Sequence, residues 1–390
     1  MNNPVIVCVA FNRKKSLVRL LKSLDNAKYE EKVKLIISID KGDNEEVVNY
    51  ANKFQWNYGE KEIIYQEINL GLKKHILKCG DLTEKYGSII LLEDDLYVSP
   101  YFYDYAKQAI NFYKEDENIS QISLYKYPVN NFTKDMFLAL EDGSDNFFMT
   151  VASSWGQIWT YKQWKDFRKW FKFNDLSVSN NDNLPDFVIK WKETSWLKYF
   201  IKYNVENNKF VVYPRISLTS NFSDAGTNNP LDQIYLYQTN LMIEKKNYNF
   251  KKLDNSIAVY DSYFEINTSK SGVLFNKYSD IEFDLYGTKR IHKIKSKYLI
   301  STKNCKTPIK TFGLIMKPHE INILNNIEGN DIYFGLTKDF QEDINDKFIK
   351  KRFKYYWTHT PYYIDLIYLF AHRTNHKLIN LKNKIIKLLK

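Results

Sequence analysis

The chain has little cysteine, little glycine and no long apolar run. Its three cysteines, Cys8, Cys79 and Cys305, are too few and too far apart for a disulfide framework or a cysteine-built zinc site. The 13 glycines form no G-x-G-x-x-G or G-x-x-x-x-G-K-[ST] motif, so the fingerprints of dinucleotide-binding and P-loop proteins are missing. The sequence contains no apolar run of about 18 residues and no recognisable signal peptide. We therefore expect a cytoplasmic protein without a membrane-spanning helix.

Positive charge is concentrated at one end of the chain. The net charge is +11, yet residues 347–390 contain 11 Lys and Arg residues and a single acid, Asp365. The remainder is close to neutral. In the second half of this tail, leucine and isoleucine residues share one helical stripe while most lysines lie off it. This pattern is typical of a helix that lies on an anionic membrane surface, so we expect the tail at 346–390 to hold the protein at the inner face of the cytoplasmic membrane. A basic arm also suits nucleic acid, but no nucleic-acid-binding motif is present.

Strand-like and helix-like segments alternate over the first 115 residues. Apolar runs at 5–11, 34–40, 62–66 and 88–92 are each followed by a segment with helical spacing. Such alternation predicts parallel βαβ units with helices on both faces of the sheet. From about 255 to 335, short alternating runs separated by turns predict a small β-rich module. A continuous amphipathic helix is expected over 184–204.

Three consecutive carboxylates follow the fourth predicted strand. They are Glu93, Asp94 and Asp95, in the stretch "SIILLEDDLYVSPYF". Ligands of parallel α/β sheets bind at the carboxyl ends of the strands, where this cluster lies. So much negative charge is costly unless a cation neutralises it, and carboxylate oxygens suit Mg²⁺ or Mn²⁺, often together with substrate phosphates. The cluster therefore predicts a metal and phosphate site, although a solvated turn is the simpler alternative.

Four segments in this order resemble glycosyltransferases of the GT-A fold, and in particular N-acetylglucosaminyltransferase I and its bacterial relatives. The segments are "PVIVCVAFNRKKSLVRLLKSL", "IISIDKGDNEEV", "NLGLKKHI" and "LLEDDLYVSPYFYDY". The resemblance covers residues 4–115 and, more weakly, extends to about 240. It implies an α/β GT-A fold with a mostly parallel central sheet at 1–250. A small β-rich module at 251–345 and the helical tail at 346–390 would follow.

The resemblance also implies which residues bind the donor and the metal. Asp95 would ligate Mn²⁺ or Mg²⁺. Arg13 would lie near the phosphates, Asp40 would accept a hydrogen bond from a uracil-type base, and Lys74 or His75 would flank that base. Glu93 and Asp94 would face the ribose and a metal-bound water. The complete set of expected donor-binding residues is Phe11, Arg13, Asp40, Lys74, Glu93 and Asp94.

The expected reaction needs a general base for the acceptor hydroxyl. In the resembling family this base is an acid beside tryptophan in a helix after the metal motif, which favours Glu193, with Asp186 as the alternative. Six of the eight Trp residues fall between 155 and 196 and are suited either to core packing or to stacking on a sugar. The polar segment 218–230 is expected to close over the donor.

The sequence thus predicts a metal-dependent, inverting glycosyltransferase. Its expected donor is a UDP-linked nucleotide-diphospho-sugar, and its expected acceptor is a glycan or lipid-linked hydroxyl in bacterial surface-polysaccharide synthesis. Two alternatives stay open: a sugar nucleotidyltransferase, and a non-catalytic carbohydrate-binding protein that keeps the fold. The sequence does not predict the oligomeric state.

Overall fold

The computed structural model describes most of the body and few residues of the tail. The described residues are 3–180, 182–222, 224, 236–270, 278–344, 351–352, 354–356, 367 and 371. Most of the predicted tail helix (346–390) and most of the predicted closing loop (218–230) therefore lie outside the described residues.

The largest element is a nine-stranded sheet with the order β11-β7-β9-β6-β8-β4-β1-β2-β3. Five of its eight strand pairings are parallel, and the strand β8 lies antiparallel between β4 and β6. The nine strands are β1 (Val5–Ala10), β2 (Leu35–Ile39), β3 (Lys61–Tyr65), β4 (Ser88–Glu93), β6 (Ile119–Ser123), β7 (Asn146–Met149), β8 (Gln157–Thr160), β9 (Phe210–Pro214) and β11 (Val259–Tyr260). The predicted α/β fold with a mostly parallel central sheet is confirmed.

Helices cover both faces of this sheet because its strands are apolar on both sides. In β1, Ile6 and Cys8 face the core formed with α1, α2 and α5, whereas Val5, Val7 and Val9 face the core formed with α3, α6 and α8. The eight helices of this part are α1 (Lys14–Asp25), α2 (Glu45–Lys53), α3 (Gly71–Gly80), α4 (Thr83–Tyr86), α5 (Phe102–Tyr113), α6 (Tyr161–Phe173), α7 (Asp186–Ile189) and α8 (Trp196–Glu206).

A short two-stranded sheet follows the acidic cluster. Its strands are β5 (Leu96–Val98) and β10 (Thr219–Asn221), which pair in antiparallel fashion. This pairing brings residues 219–222 next to the end of β4, since the backbone amide of Phe222 donates to the carbonyl of Asp95 at 3.0 Å. Phe222, directly after β10, is therefore held beside the acids.

The predicted β-rich module is present in the second half of the chain. It contains a four-stranded sheet of order β12-β13-β16-β15 and the pair β14–β17. Its elements are β12 (Ile281–Asp284), β13 (Tyr298–Ser301), β14 (Lys303–Cys305), β15 (Lys310–Phe312), α9 (Glu320–Leu324), β16 (Ile332–Leu336) and β17 (Phe340–Ile344). The strand β11, at 259–260, extends the large sheet beyond residue 250, where we expected the first domain to end. The division into domains otherwise stays a prediction.

One secondary-structure prediction is wrong. The expected continuous helix over 184–204 is two helices, α7 and α8, separated by a turn at 190–195. The backbone leaves the helix after Lys190 and re-enters it at Trp196, with Ser195 extended at φ −82° and ψ 116°. The apolar periodicity continues through this break because both helices bury residues against the same core, so the pattern alone did not reveal it. Among the described residues, no helix has the length and apolar character needed to cross a membrane.

Candidate functional site

The three acids lie in a turn at the carboxyl end of β4, and Arg13 binds two of them. Glu93 is the last residue of β4, while Asp94 and Asp95 form the turn before β5. Arg13, between β1 and α1, donates from Nη1 to Asp95 Oδ2 at 3.0 Å and from Nη2 to Asp94 Oδ1. Because β1 and β4 are parallel neighbours, their carboxyl ends bring these side chains together. The sequence correctly predicted this convergence, but not that Arg13 would pair with the acids.

Burial and mutual repulsion raise the pKa values of Glu93 and Asp94. Burial, together with the negative charges of Asp95 and Asp94, raises the pKa of Glu93 to about 8, against the opposing effect of Arg13. Burial also raises the pKa of Asp94 to about 7, although Arg13 and the backbone amide of Phe11 favour its ionised form. A further cation near these groups would favour the fully ionised cluster.

Asp95 keeps one oxygen that is suited to a metal ion. Its Oδ2 accepts from Arg13, whereas Oδ1 is buried and has no hydrogen-bond partner among the described residues. No group of three or more His, Cys, Asp or Glu side chains forms a metal cage within the described part of the chain. Mg²⁺ is commonly held by one or two carboxylates plus substrate phosphates, so Asp95 fits this kind of site. Asp94 is instead held by Arg13 and Phe11 and is suited to positioning the turn.

The ends of β1 and β2 are joined by a side chain that the sequence analysis missed. Asn44 Nδ2 donates to the carbonyl of Phe11 at 2.6 Å and to that of Asp40 at 2.8 Å. The Phe11 ring packs directly on Gly42, where any Cβ atom would overlap with it. Phe11 is half-buried at the edge of the acid site. Asn44 follows a strand end in the stretch "DKGDN". This position was the sequence signal that could have identified it as part of the site.

Asp40 is buried, and its carboxylate is largely occupied by backbone donors. Oδ1 accepts from the amides of Lys41 at 3.0 Å and Leu70 at 2.8 Å, and Oδ2 accepts from Gly71 at 2.9 Å. These bonds fix the start of α3 against the end of β2. A carboxylate has about four acceptor positions, so one remains on Oδ2 for a donor on a nucleotide base. The predicted contact with the base therefore stays a proposal.

The two residues expected beside the base lie in different environments. Lys74 is exposed on the first turn of α3. His75 is buried, with its Nε2 atom 2.7 Å from Ser38 Oγ, and burial lowers its pKa to about 4. His75 therefore belongs to the core under the sheet edge, whereas Lys74 is free to approach a ligand.

Glu193 lies in the turn between α7 and α8 and contacts α3. Its backbone carbonyl accepts from Lys73 Nζ at 2.6 Å. Its carboxylate accepts from Lys198 Nζ at 2.6 Å and from the Tyr199 hydroxyl. These two donors lower the pKa of Glu193, which weakens it as a base. Since Lys73 is two residues from Gly71, Glu193 lies at the same edge of the sheet as Asp40, but its described contacts include none of the three acids.

Asp186, the alternative base, and Asp224 are each bound by an arginine. Asp186 accepts from Arg290 Nη2 at 2.8 Å through both oxygens, which links α7 to the β-rich module. Asp224 is bound by Arg19 and accepts from Ser16 Oγ at 3.2 Å. Both acids therefore have structural partners in the described chain.

Most of the clustered tryptophans belong to the core, and one lies beside the acids. Four of the six are buried: Trp159, Trp164, Trp170 and Trp196. Trp155 is half-buried, and the preceding residue, Ser154, hydrogen-bonds Glu93. The Trp155 ring lies 4.7 Å from the ring of Tyr125 and 5.2 Å from that of Tyr237, measured between centroids. Trp155 is therefore the member of the cluster best placed to contact a sugar.

No protein-family model and no curated protein matches the chain. Its similarity to solved structures is weak. TarS from S. aureus is 13% identical, with 54% of this chain and 60% of that chain covered and a TM-score of 0.33. A mannosyltransferase from Pyrobaculum calidifontis in complex with GDP-Man and Mn²⁺ is 11% identical, with 42% and 46% covered and a TM-score of 0.30. A cytidylyltransferase from Leptospira borgpetersenii is 12% identical, with 53% and 73% covered and a TM-score of 0.31. At these values the likeness supports no conclusion about activity.

Proposed function

We propose that the protein is a glycosyltransferase of the GT-A type that uses a nucleotide-diphospho-sugar. The observation that carries the proposal is the acid turn at the end of β4, where Asp95 Oδ1 is buried and unpaired and Arg13 lies between Asp94 and Asp95. A divalent ion would supply the positive charge that neutralises the acids. The diphosphate of the donor would supply the negative charge that the ion and Arg13 bind. We propose UDP as the nucleotide and a glycan or lipid-linked hydroxyl as the acceptor, in bacterial surface-polysaccharide synthesis.

In this proposal each group acts on a different part of the donor. Asp95 would hold Mn²⁺ or Mg²⁺, which would neutralise the charge that collects on the leaving diphosphate. Arg13 orients the acids and stands at the phosphate side of the site. Phe11, Asp40 and Lys74 form the side that would contact the nucleotide base, at the ends of β1 and β2 and the start of α3. Glu93 and Asp94 lie between these two sides.

Inversion at the sugar carbon requires a base on the acceptor side. We propose Glu193 for this role, since it stands in the turn fixed against α3 at the same edge of the sheet. For the carboxylate to accept a proton, its bonds from Lys198 and Tyr199 must loosen as the acceptor enters. Transfer then breaks the bond between the sugar carbon and the diphosphate, forms the bond to the acceptor oxygen, and leaves the hydroxyl proton on Glu193.

The test is hydrolysis of nucleotide sugars by the purified protein with Mn²⁺. We expect slow release of the free sugar and nucleoside diphosphate from one member of a panel of UDP- and GDP-sugars. The activity should disappear with excess chelator and return with Mn²⁺. Release of pyrophosphate from a nucleoside triphosphate and a sugar phosphate would instead indicate a nucleotidyltransferase. Binding of sugars without turnover of any donor would contradict the enzymatic proposal.

A further inference from the structure

A cationic groove runs along the outer face of α6. It forms a cavity of about 280 Å³ between α6 and the segment around α4. Four of its lining residues are cations on α6: Lys165, Arg168, Lys169 and Lys172. The opposite face of α6 is buried through Phe167 and Trp170, and Trp164 is buried as well, although it also lines the groove. The helix therefore packs through its aromatic face, and the cations are not needed for that packing.

Three of these cations are available to a ligand. Arg168 binds Asp81, with Nε to Oδ1 at 2.9 Å, and Trp164 Nε1 donates to the same oxygen at 2.8 Å. Lys165, Lys169 and Lys172 are exposed and form no ion pair within the described part of the chain. Because Asp81 is already paired, Glu84 is the one remaining acid in the lining. The groove therefore has an excess of positive charge.

The spacing of the three lysines favours a chain over a single ion. They are separated by four and three residues, so they share one stripe of α6 about 10 Å long, at about 1.5 Å per residue. One phosphate or carboxylate can neutralise only part of the charge of such a stripe. A linear molecule with repeated negative charges can neutralise the whole stripe, and the exposed ring of Tyr161 at one end adds a surface for a sugar.

One lining residue of the groove is linked to Glu193 through aromatic rings, since the Arg168 guanidinium lies 5.9 Å from the centre of the Phe171 ring. Near the end of α6, the Phe171 ring lies 5.6 Å from the Tyr199 ring, and the Tyr199 hydroxyl donates to Glu193. Lys73 Nζ lies 4.7 Å from the centre of the same Tyr199 ring. A chain that occupies the groove at Arg168 therefore lies next to the aromatic contacts that hold the residue proposed as the base.

We propose that the α6 groove binds an acceptor glycan that carries repeated anionic groups. This inference rests on the proposed function, because the groove would hold the acceptor behind its reacting end. The charges that it recognises are phosphates or carboxylates, which lysine ammonium groups bind as point charges. A concave cavity fits one flexible chain better than it fits a flat bilayer or a rigid duplex.

The test compares glycan binding by the full chain and by two triple variants. Lys165→Gln/Lys169→Gln/Lys172→Gln removes the free cations, while Lys22→Gln/Lys28→Gln/Lys32→Gln removes three exposed lysines elsewhere. The probes are a phosphodiester-linked glycan oligomer, a uronic-acid oligosaccharide and a neutral dextran oligomer of equal length, each measured by calorimetry. We expect the full chain and the control variant to bind one or both anionic probes, and the groove variant to bind them about tenfold more weakly or worse. Binding should weaken with added salt because the attraction is screened.

Several outcomes would overturn the inference. These are absence of anionic-glycan binding by the full chain, equal losses in the two triple variants, and equally tight binding of dextran. Equal or tighter binding of a DNA duplex, or loss of anionic-liposome flotation in the groove variant alone, would assign the groove to nucleic acid or to membrane. Donor hydrolysis without acceptor is measured in parallel. If hydrolysis persists and glycan binding is absent, this inference alone fails; if no donor is hydrolysed but the groove variant loses binding, the proposed function fails and the groove stands.

Discussion

At the scale of single residues, the division of roles between Asp94 and Asp95 follows from their partners. Asp94 is nearly fully buried and bound by Arg13 and the Phe11 amide, whereas Asp95 keeps an unpaired oxygen. Removing Asp94 would take away the buried acid that Arg13 and the Phe11 amide hold in place, whereas removing Asp95 would take away the acid with the unpaired oxygen. The two substitutions should therefore affect stability and activity in different ways.

We predict that Asp95→Ala lowers metal-dependent turnover by at least about a hundredfold while the protein stays folded. The variant loses the oxygen proposed to hold the ion, and it also loses one negative charge from a crowded site, so its melting temperature should not fall. Donor hydrolysis and thermal unfolding check both statements. Asp43→Ala, which removes an exposed acid near the end of β2, serves as the control and should stay active. Full activity of Asp95→Ala would contradict the metal role.

The acid cluster also predicts how stability depends on pH. The pKa of Glu93 is about 8 in the folded protein and about 4.3 in an unfolded chain, so the folded state binds more protons between these values. Without metal, stability should therefore fall as pH rises from about 5 to about 8. Thermal unfolding across this range should show a shallower decline for Glu93→Gln than for the unaltered chain.

Added Mn²⁺ distinguishes this cluster from other buried acids. Burial raises the pKa of Glu265 to about 8 as well, so Glu265→Gln should also flatten the decline. Because a metal ion competes with protons, the stabilisation by Mn²⁺ should grow with pH in the unaltered chain and in Glu265→Gln. A response to Mn²⁺ that is independent of pH would argue against binding at the acid turn.

Glu193 is a base candidate whose ion pair complicates its test. We predict that Glu193→Gln lowers turnover by about two orders of magnitude with donor binding near normal. The substitution also leaves the buried Lys198 without its charged partner, so some loss of stability is expected. Glu206→Gln is the matched control, because it removes an acid that pairs with the buried Lys202 on the same helix at 3.4 Å. If Glu193→Gln and Glu206→Gln both keep the turnover of the unaltered chain, Glu193 is not the base.

At the scale of elements, the features predicted correctly are those with a local signal. The strands and helices up to α5 alternate with clear periodicity, and the acids follow a strand end, so both the sheet and the acid turn could be predicted. The insertion of β8 between β4 and β6 could not, since it depends on pairing between residues distant in sequence, such as Leu91 and Gln157. For the same reason the acids that pair with Arg13, and the amides of Leu70 and Gly71 that bind Asp40, were not predictable. The partners of the Glu193 carboxylate are close in sequence, but their contact depends on the turn that was not predicted.

The close packing of α3 on α6 gives a prediction at this scale. Gly80, the last residue of α3, contacts the Trp164 ring so closely that a Cβ atom would overlap with it. Gly80→Ala should therefore destabilise the protein by about 1–3 kcal/mol, although alanine is intrinsically favoured over glycine in helices. Urea unfolding measures the change. In the double variant with Trp164→Phe, the loss should be smaller than the sum of the two single losses. Simple additivity would mean that the two residues do not restrict each other.

At the scale of the whole molecule, two clusters of positive charge lie away from the acid turn at the end of β4. The α6 groove has one cluster, and the tail at 347–390 has another. Two described residues of the tail are packed on the body: Arg352 Nε donates to Asp135 Oδ2 at 2.8 Å, and the Tyr356 hydroxyl lies 2.9 Å from His319 Nδ1. The tail is thus held against the body at Arg352 and Tyr356, and the distribution of charge suggests different partners for the two clusters.

We predict that the tail beyond Tyr356 binds anionic membranes and that this anchoring is separate from folding of the body. A chain that ends at Tyr356 keeps the packed residues and should melt like the full chain, yet it should no longer float with anionic liposomes. Replacing Lys377, Lys382, Lys384 and Lys387 by glutamine should weaken flotation, since each basic residue near anionic lipid contributes about 1 kcal/mol. The groove variant of α6 should float like the unaltered chain, because its lysines are proposed to bind glycan. Added salt should reduce binding of the full chain by screening. Equal flotation of the full and shortened chains would place the membrane contact on the body, and absence of flotation in both would remove the membrane role altogether.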